Sequence, residues 1–127
     1  MNTLTTKLIA AGLLFTFTLL SGLWLSHSGK PYNSVIFTIH KLIALATIIM
    51  IGISVFNLYK ALDLQTFVVL VLIAASGLLF LALLITGGLL SLNISLSGIA
   101  LKVHQVVPLL ALVASAITIS LLIRANS

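Results

Sequence analysis

The chain has 127 residues, of which 61% are hydrophobic and only 6% are charged. Soluble domains carry about a quarter charged residues, so this composition indicates a chain that lies in a lipid bilayer. With Asp63 as its single acid, the chain cannot use paired-carboxylate catalysis. The lack of cysteine excludes disulfides, thiolate metal sites and iron–sulfur clusters. The six Lys and Arg residues are too scattered for a nucleic-acid-binding patch.

Apolar stretches long enough to cross a membrane, which takes about 20 residues, follow one another along the chain. They span residues 8–26, 35–59, 66–90 and 98–123. The polar connections between them are short, and short connections make neighbouring helices run antiparallel. The sequence therefore predicts an all-α protein, an integral-membrane antiparallel four-helix bundle that forms one multi-pass transmembrane domain over residues 1–127.

The chain contains an internal repeat of two helices. Residues 10–26 align with residues 75–91 at a shift of 65, and residues 38–46 align with residues 102–110 at a shift of 64. The repeat pairs glycines and histidines: Gly12 with Gly77, Gly22 with Gly87, and His40 with His104. Each unit contains two spans, so the chain returns to its starting face before the second unit begins. We therefore expect two parallel units related by a pseudo-twofold axis along the membrane normal.

The first apolar stretch also has features of a secretory signal. Lys7 precedes it, and a small-x-small site occupies residues 26–28. The repeat makes helix 1 equivalent to helix 3, with units of about residues 1–62 and 63–127. We therefore expect helix 1 to be retained as a structural part of the bundle.

The paired histidines lie at similar depths in the predicted bundle. His40 and His104 are each about six residues into helices 2 and 4, which start on the same face, and this corresponds to roughly 9 Å. Residues at steps of seven from them are small or polar: Thr47 and Ser54 after His40, and Ala111 and Thr118 after His104. Such stripes face inward in membrane bundles, so the two imidazoles should meet a shared ligand between diagonal helices.

The paired glycines predict the shape of that ligand. Gly22 and Gly87 lie four or five residues before the predicted ends of helices 1 and 3, at the depth of the histidines. Glycines on one diagonal and histidines on the other describe a slot for a flat, wide group. Haem b fits this description because neutral imidazoles supply both axial ligands, so we expect His40 and His104 to ligate one haem b per chain.

Basic residues collect on the same face. Lys30 and His27 lie between helices 1 and 2, while Lys41 and Lys102 lie beside the histidines. Lysines two or three turns inside a membrane can reach the interface with their long side chains. We expect Lys41 and Lys102 to pair with the haem propionates.

The motifs IHK at 39–41 and VHQ at 103–105, with the glycines at 22 and 87, resemble the di-histidine haem b bundles of membrane cytochromes. These are the cytochrome b561 and superoxide oxidase group and the membrane anchors of succinate dehydrogenase. The resemblance implies electron transfer with quinone, superoxide or a redox protein. Cytochrome b561 proteins use four histidines for two haems, so two in-membrane histidines imply one haem and no passage of electrons across the membrane by this subunit alone.

Three other interpretations of the histidines remain open. They are core residues that bridge helices in a non-redox membrane subunit, ligands of a Zn or Cu site with His27 as a third ligand from a loop, or hydrogen-bonding partners of a quinone headgroup. The favoured prediction is a membrane b-type cytochrome that acts as an oxidoreductase-type electron carrier. Its expected partners are the lipid bilayer and a quinone or redox protein on the histidine side, either as a homo-oligomer or within a larger membrane complex, without nucleic acid.

Overall fold

The computed structural model describes residues 2–61, 67–92 and 97–126. Within these residues the fold is all-helical, with four helices and no strand: α1 (Thr3–Ser28), α2 (Ser34–Lys60), α3 (Phe67–Leu92) and α4 (Ser97–Asn126). Each helix contains a stretch that is long and apolar enough to cross a membrane. The predicted all-α class is confirmed, while Asp63 lies outside the described residues.

Helix α1 is longer than its apolar stretch because polar residues define both of its ends. Asn2 caps the start, where its side-chain oxygen accepts a hydrogen bond of 2.8 Å from the backbone N–H of Thr5. Gly29 ends the helix with a φ of 70°, and its N–H donates to the carbonyl of Leu25 at 3.2 Å. The expectation that His27 lies in a loop is therefore wrong, since His27 belongs to the last turn of α1.

Residues 29–33 connect α1 to α2, and Asn33 fixes the start of α2. Its side-chain oxygen accepts hydrogen bonds from the backbone N–H groups of Val35 at 3.0 Å and Ile36 at 3.2 Å. Four residues, 93–96, separate α3 from α4 and lie outside the described part of the chain. The first connection thus has a built-in cap for the helix that carries His40.

The chain divides into two compact units, Met1–Ser54 and Val55–Ser127, with the boundary inside α2. The first unit pairs α1 with α2. Thr18 contacts Thr47 through their hydroxyl oxygens at 3.2 Å, and Ser21 contacts His40 at 2.8 Å. Because the contact residue advances along α1 while it moves back along α2, the two helices are antiparallel.

The second unit pairs α3 with α4 in the same way. The hydroxyl oxygens of Ser76 and Thr118 are 3.4 Å apart, and Thr86 contacts His104 at 2.8 Å. The residue on α3 advances while that on α4 moves back, so this pair is also antiparallel. Helix α4 continues through Pro108 without interruption.

The inward stripes predicted from the sequence are confirmed. Four of their members are almost fully buried, with exposed fractions of 2% or less: Thr47, Ser54, Ala111 and Thr118. Large apolar side chains cover the outside instead, and Leu13 and Leu78 are 56% and 67% exposed. Small or polar residues inside and large apolar residues outside form a pattern consistent with contact between the helices and a lipid bilayer.

Candidate cofactor site

In the first unit, the imidazole of His40 lies against the backbone of α1 at Gly22. A Cβ atom placed on Gly22 would be 3.1 Å from Cε1, 3.7 Å from Nδ1 and 3.9 Å from Nε2 of His40. Contacts of 3.4–4 Å are ordinary for a Cβ atom, so the shortest of these distances would be tight. The lack of a side chain at Gly22 therefore makes room for the imidazole ring of His40. The sequence predicted instead that Gly22 makes room for the flat ligand.

A hydroxyl group on the preceding residue of α1 holds the same ring at a second point. The Oγ of Ser21 lies 2.8 Å from Nδ1 of His40, and the Ser21 hydroxyl also donates to the carbonyl of Thr18 at 3.0 Å. His40 is half-buried in this position. The ring is thus fixed between a hydroxyl and a glycine on consecutive residues of the neighbouring helix.

The second unit repeats this arrangement. A Cβ atom placed on Gly87 would be 3.3 Å from Cε1 and 3.9 Å from Nδ1 of His104. The Oγ1 of Thr86 lies 2.8 Å from Nδ1 of His104 and donates to the carbonyl of Ala82 at 2.8 Å. His104 is half-buried, as His40 is. Each glycine predicted from the sequence to be a site residue therefore contacts the histidine of its own unit.

Ser21 and Thr86 are site residues that the sequence comparison missed. They occupy equivalent positions at the shift of 65, directly before Gly22 and Gly87. Comparison by identity passes over a serine aligned with a threonine. Comparison by chemical group finds Ser21 and Thr86, because a hydroxyl precedes the glycine in both copies. The half-buried histidines each need a hydrogen-bonding partner of this kind.

The lysine beside His40 points along α2 towards the start of the helix. The Nζ of Lys41 lies 4.6 Å from the ring centre of Phe37, one turn earlier. The rings of Phe37 and Tyr32 stack at 5.5 Å, and the Nζ of Lys30 lies 6.0 Å from the ring centre of Tyr32. These side chains form an alternating basic and aromatic cluster of the kind that occupies membrane interfaces.

Lys102 lies two residues before His104 and is exposed on α4. His27 is exposed in the last turn of α1. Among the residues that the structure describes, no group of three His, Cys, Asp or Glu side chains is placed to hold a metal ion. A metal site made only of protein side chains, with His27 as a third ligand, therefore finds no support in the described part of the chain.

The chain was compared with known proteins at the level of families, sequences and structures. No family model matches it, and neither the curated proteins nor the solved structures include a significant match.

Proposed function

We propose that this protein is an integral-membrane b-type cytochrome that carries one haem b and transfers electrons. The observation that supports the proposal is the repeated arrangement of a hydroxyl, a glycine and a histidine. Ser21, Gly22 and His40 in one unit have the same mutual contacts as Thr86, Gly87 and His104 in the other. Equivalent imidazoles in equivalent surroundings suit a group that takes two identical ligands on opposite sides.

The donor chemistry of the two units fits haem b. Neutral imidazole is a common axial ligand of haem iron, and its second ring nitrogen is normally held by a hydrogen bond that orients the ring. His40 and His104 both have that hydrogen bond, through Nδ1. Under this proposal they are the axial ligands, and haem supplies one-electron redox chemistry.

The protein side chains set the character of the proposed site. His40 and His104 would hold the haem iron, and iron held by two imidazoles would favour electron transfer over binding of oxygen. Gly22 and Gly87 allow each ring to approach the neighbouring backbone closely, which limits its rotation. Lys41 and Lys102 supply positive charge for the propionates or for an anionic partner.

The finer location follows from the same proposal. Helices that expose Leu, Ile, Val and Phe along most of their surface are stable only where lipid replaces water. We therefore place all spans in the bilayer, with quinone or a redox protein as the electron partner on the histidine side.

An optical spectrum of the detergent-purified protein tests the cytochrome proposal. Protein from haem-replete cells should show a Soret band that sharpens and shifts when dithionite is added. The variants His40→Ala and His104→Ala should each lose or convert this spectrum. The matched control is His27→Ala, an exposed histidine in the first unit, which should keep it. A colourless wild-type protein would contradict the proposal.

A second candidate function is that of a non-redox membrane subunit whose histidines only join helices. The hydrogen bonds from His40 to Ser21 and from His104 to Thr86 favour it, since each connects the two helices of a unit. On this alternative, wild-type protein is colourless, and His40→Ala lowers the stability of the helix pair without a spectroscopic effect.

A further inference from the structure

The hydroxyl of Ser21 bears on which nitrogen of His40 carries a proton, and the His40 ring also has a hydrogen-bonding interaction with the backbone of Thr18. The Ser21 hydroxyl lies 3.0 Å from the carbonyl oxygen of Thr18 and 2.8 Å from Nδ1 of His40. A carbonyl oxygen can only accept, and a hydroxyl has one proton to donate. Both contacts are hydrogen bonds only if Ser21 donates to Thr18 and accepts from an N–H at Nδ1 of His40.

The same reasoning applies to the second unit with different residues. The Thr86 hydroxyl lies 2.8 Å from the carbonyl oxygen of Ala82 and 2.8 Å from Nδ1 of His104. Its single proton is directed to the helix backbone, so its oxygen accepts from Nδ1 of His104. A serine and a threonine thus impose the same proton position on both histidines.

We propose that Ser21 and Thr86 are positioning residues that hold His40 and His104 in the tautomer protonated at Nδ1. The lone pair of each neutral ring is then on Nε2. Such a ring offers Nε2 to an electron-pair acceptor, such as a transition-metal centre. It does not offer an N–H at Nε2 to the carbonyl oxygens of a quinone.

A histidine protonated at Nδ1 favours a metal centre as the ligand of the site. The identity of that metal as haem iron rests on the proposed function. The tautomer itself does not depend on haem. A ring turned by 180° would place a carbon atom instead of Nδ1 beside the hydroxyl and would lose that contact. The close approach of each ring to Gly22 or Gly87 leaves it little room to move away. Each ring is therefore restrained in both orientation and tautomer.

Nitrogen-15 NMR of the full chain, labelled at histidine and haem-free in detergent micelles, measures the tautomer directly. Couplings from the ring carbon-bound protons distinguish a protonated Nδ1 from a protonated Nε2. We expect the Nδ1–H form at His40 and at His104, with exposed His27 as the internal reference. A predominant Nε2–H form at either buried position would overturn the inference.

Substitutions test each hydroxyl separately. Thr86→Val should mix the tautomers of His104 and leave His40 unchanged. Ser21→Ala should leave His104 unchanged and have a smaller effect on His40, because the backbone of Thr18 also interacts with that ring. The conservative variants Ser21→Thr and Thr86→Ser should keep the Nδ1–H form. Ser28→Ala is the matched control, since the Ser28 hydroxyl also donates to a helix carbonyl, that of Trp24 at 2.8 Å. A Thr86→Val variant that still keeps a pure Nδ1–H form at His104 would overturn the inference.

The holo protein provides a second readout. Loss of a hydrogen-bonding partner of a metal-ligating histidine typically weakens metal binding about 10- to 100-fold. Ser21→Ala and Thr86→Val should therefore lower haem retention by such factors, and the control Ser28→Ala should not. Colourless wild-type protein with both histidines in the Nδ1–H form would reject haem but uphold the positioning role. Addition of a soluble quinone to the haem-free protein should leave the Nε2 resonances unshifted, and a saturable shift at His40 or His104 would overturn the stated ligand class.

Discussion

Replacement of Gly22 by alanine tests how closely His40 is packed. The new Cβ would lie 3.1 Å from Cε1, below the 3.4 Å at which ordinary contacts begin, so the ring must move by a few tenths of an ångström. It cannot do so without lengthening its 2.8 Å contact with Ser21. Overpacking of this kind costs about 1–3 kcal/mol, and the better helix propensity of alanine offsets about 1 kcal/mol of that. We expect a net loss of about 0–2 kcal/mol.

The chain contains matched controls for this substitution. A Cβ on Gly12 or Gly77 would meet nothing within 4 Å, so Gly12→Ala and Gly77→Ala should be neutral or stabilising by up to about 1 kcal/mol. Gly87→Ala, with a closest distance of 3.3 Å, should fall between the two classes. Reversible unfolding in mixed detergent micelles, followed by circular dichroism, gives the free energies. Equal stabilities for Gly22→Ala and Gly12→Ala would refute this account of the ring contact.

Three further predictions concern polar groups and the membrane. In the described part of the chain the buried hydroxyl of Ser115 has no hydrogen-bonding partner. Ser115→Ala should therefore raise the free energy of unfolding by about 1 kcal/mol and with it the thermal midpoint. A lower midpoint would show that the hydroxyl has a partner. Thr18 and Thr47 both donate to their own helix carbonyls at 2.8 Å, so a double-mutant cycle with valine should give a coupling of about 0.6 kcal/mol or less. A larger coupling would mean that one hydroxyl donates to the other. The protein should remain in the membrane pellet after extraction with alkaline carbonate, and its release would exclude multi-pass insertion.

The helices and their inward faces could be predicted because lipid simplifies the physical problem. Apolar length alone identifies a span, and the small or polar stripe identifies the buried side, as Thr47 and Thr118 show with exposed fractions of 2% and 1%. The ends of α1 were harder to predict. They depend on single polar contacts at Asn2 and Gly29, which hydropathy does not register, and His27 was misplaced for that reason.

The site could be predicted only in part. The repeat identified His40, His104, Gly22 and Gly87 as candidate site residues, and in the structure each glycine contacts the histidine of its own unit. Sequence spacing could not show that each glycine seats the histidine of its own unit, because that depends on the rotation of two packed helices about their axes. The hydroxyl partners were missed because a hydrogen bond requires a chemical group and not a particular residue.

The two connections between paired helices differ by one residue: residues 29–33 in the first unit and 93–96 in the second. The shift of the repeat changes by one residue at the same place, from 65 to 64. Gene duplication followed by one insertion or deletion at a turn accounts for both facts. In both units the hydroxyl, the glycine and the histidine keep the same contacts although the chain between glycine and histidine differs in length by one residue. The register of each helix pair is therefore set by the contacts between its helices and not by the length of the connection.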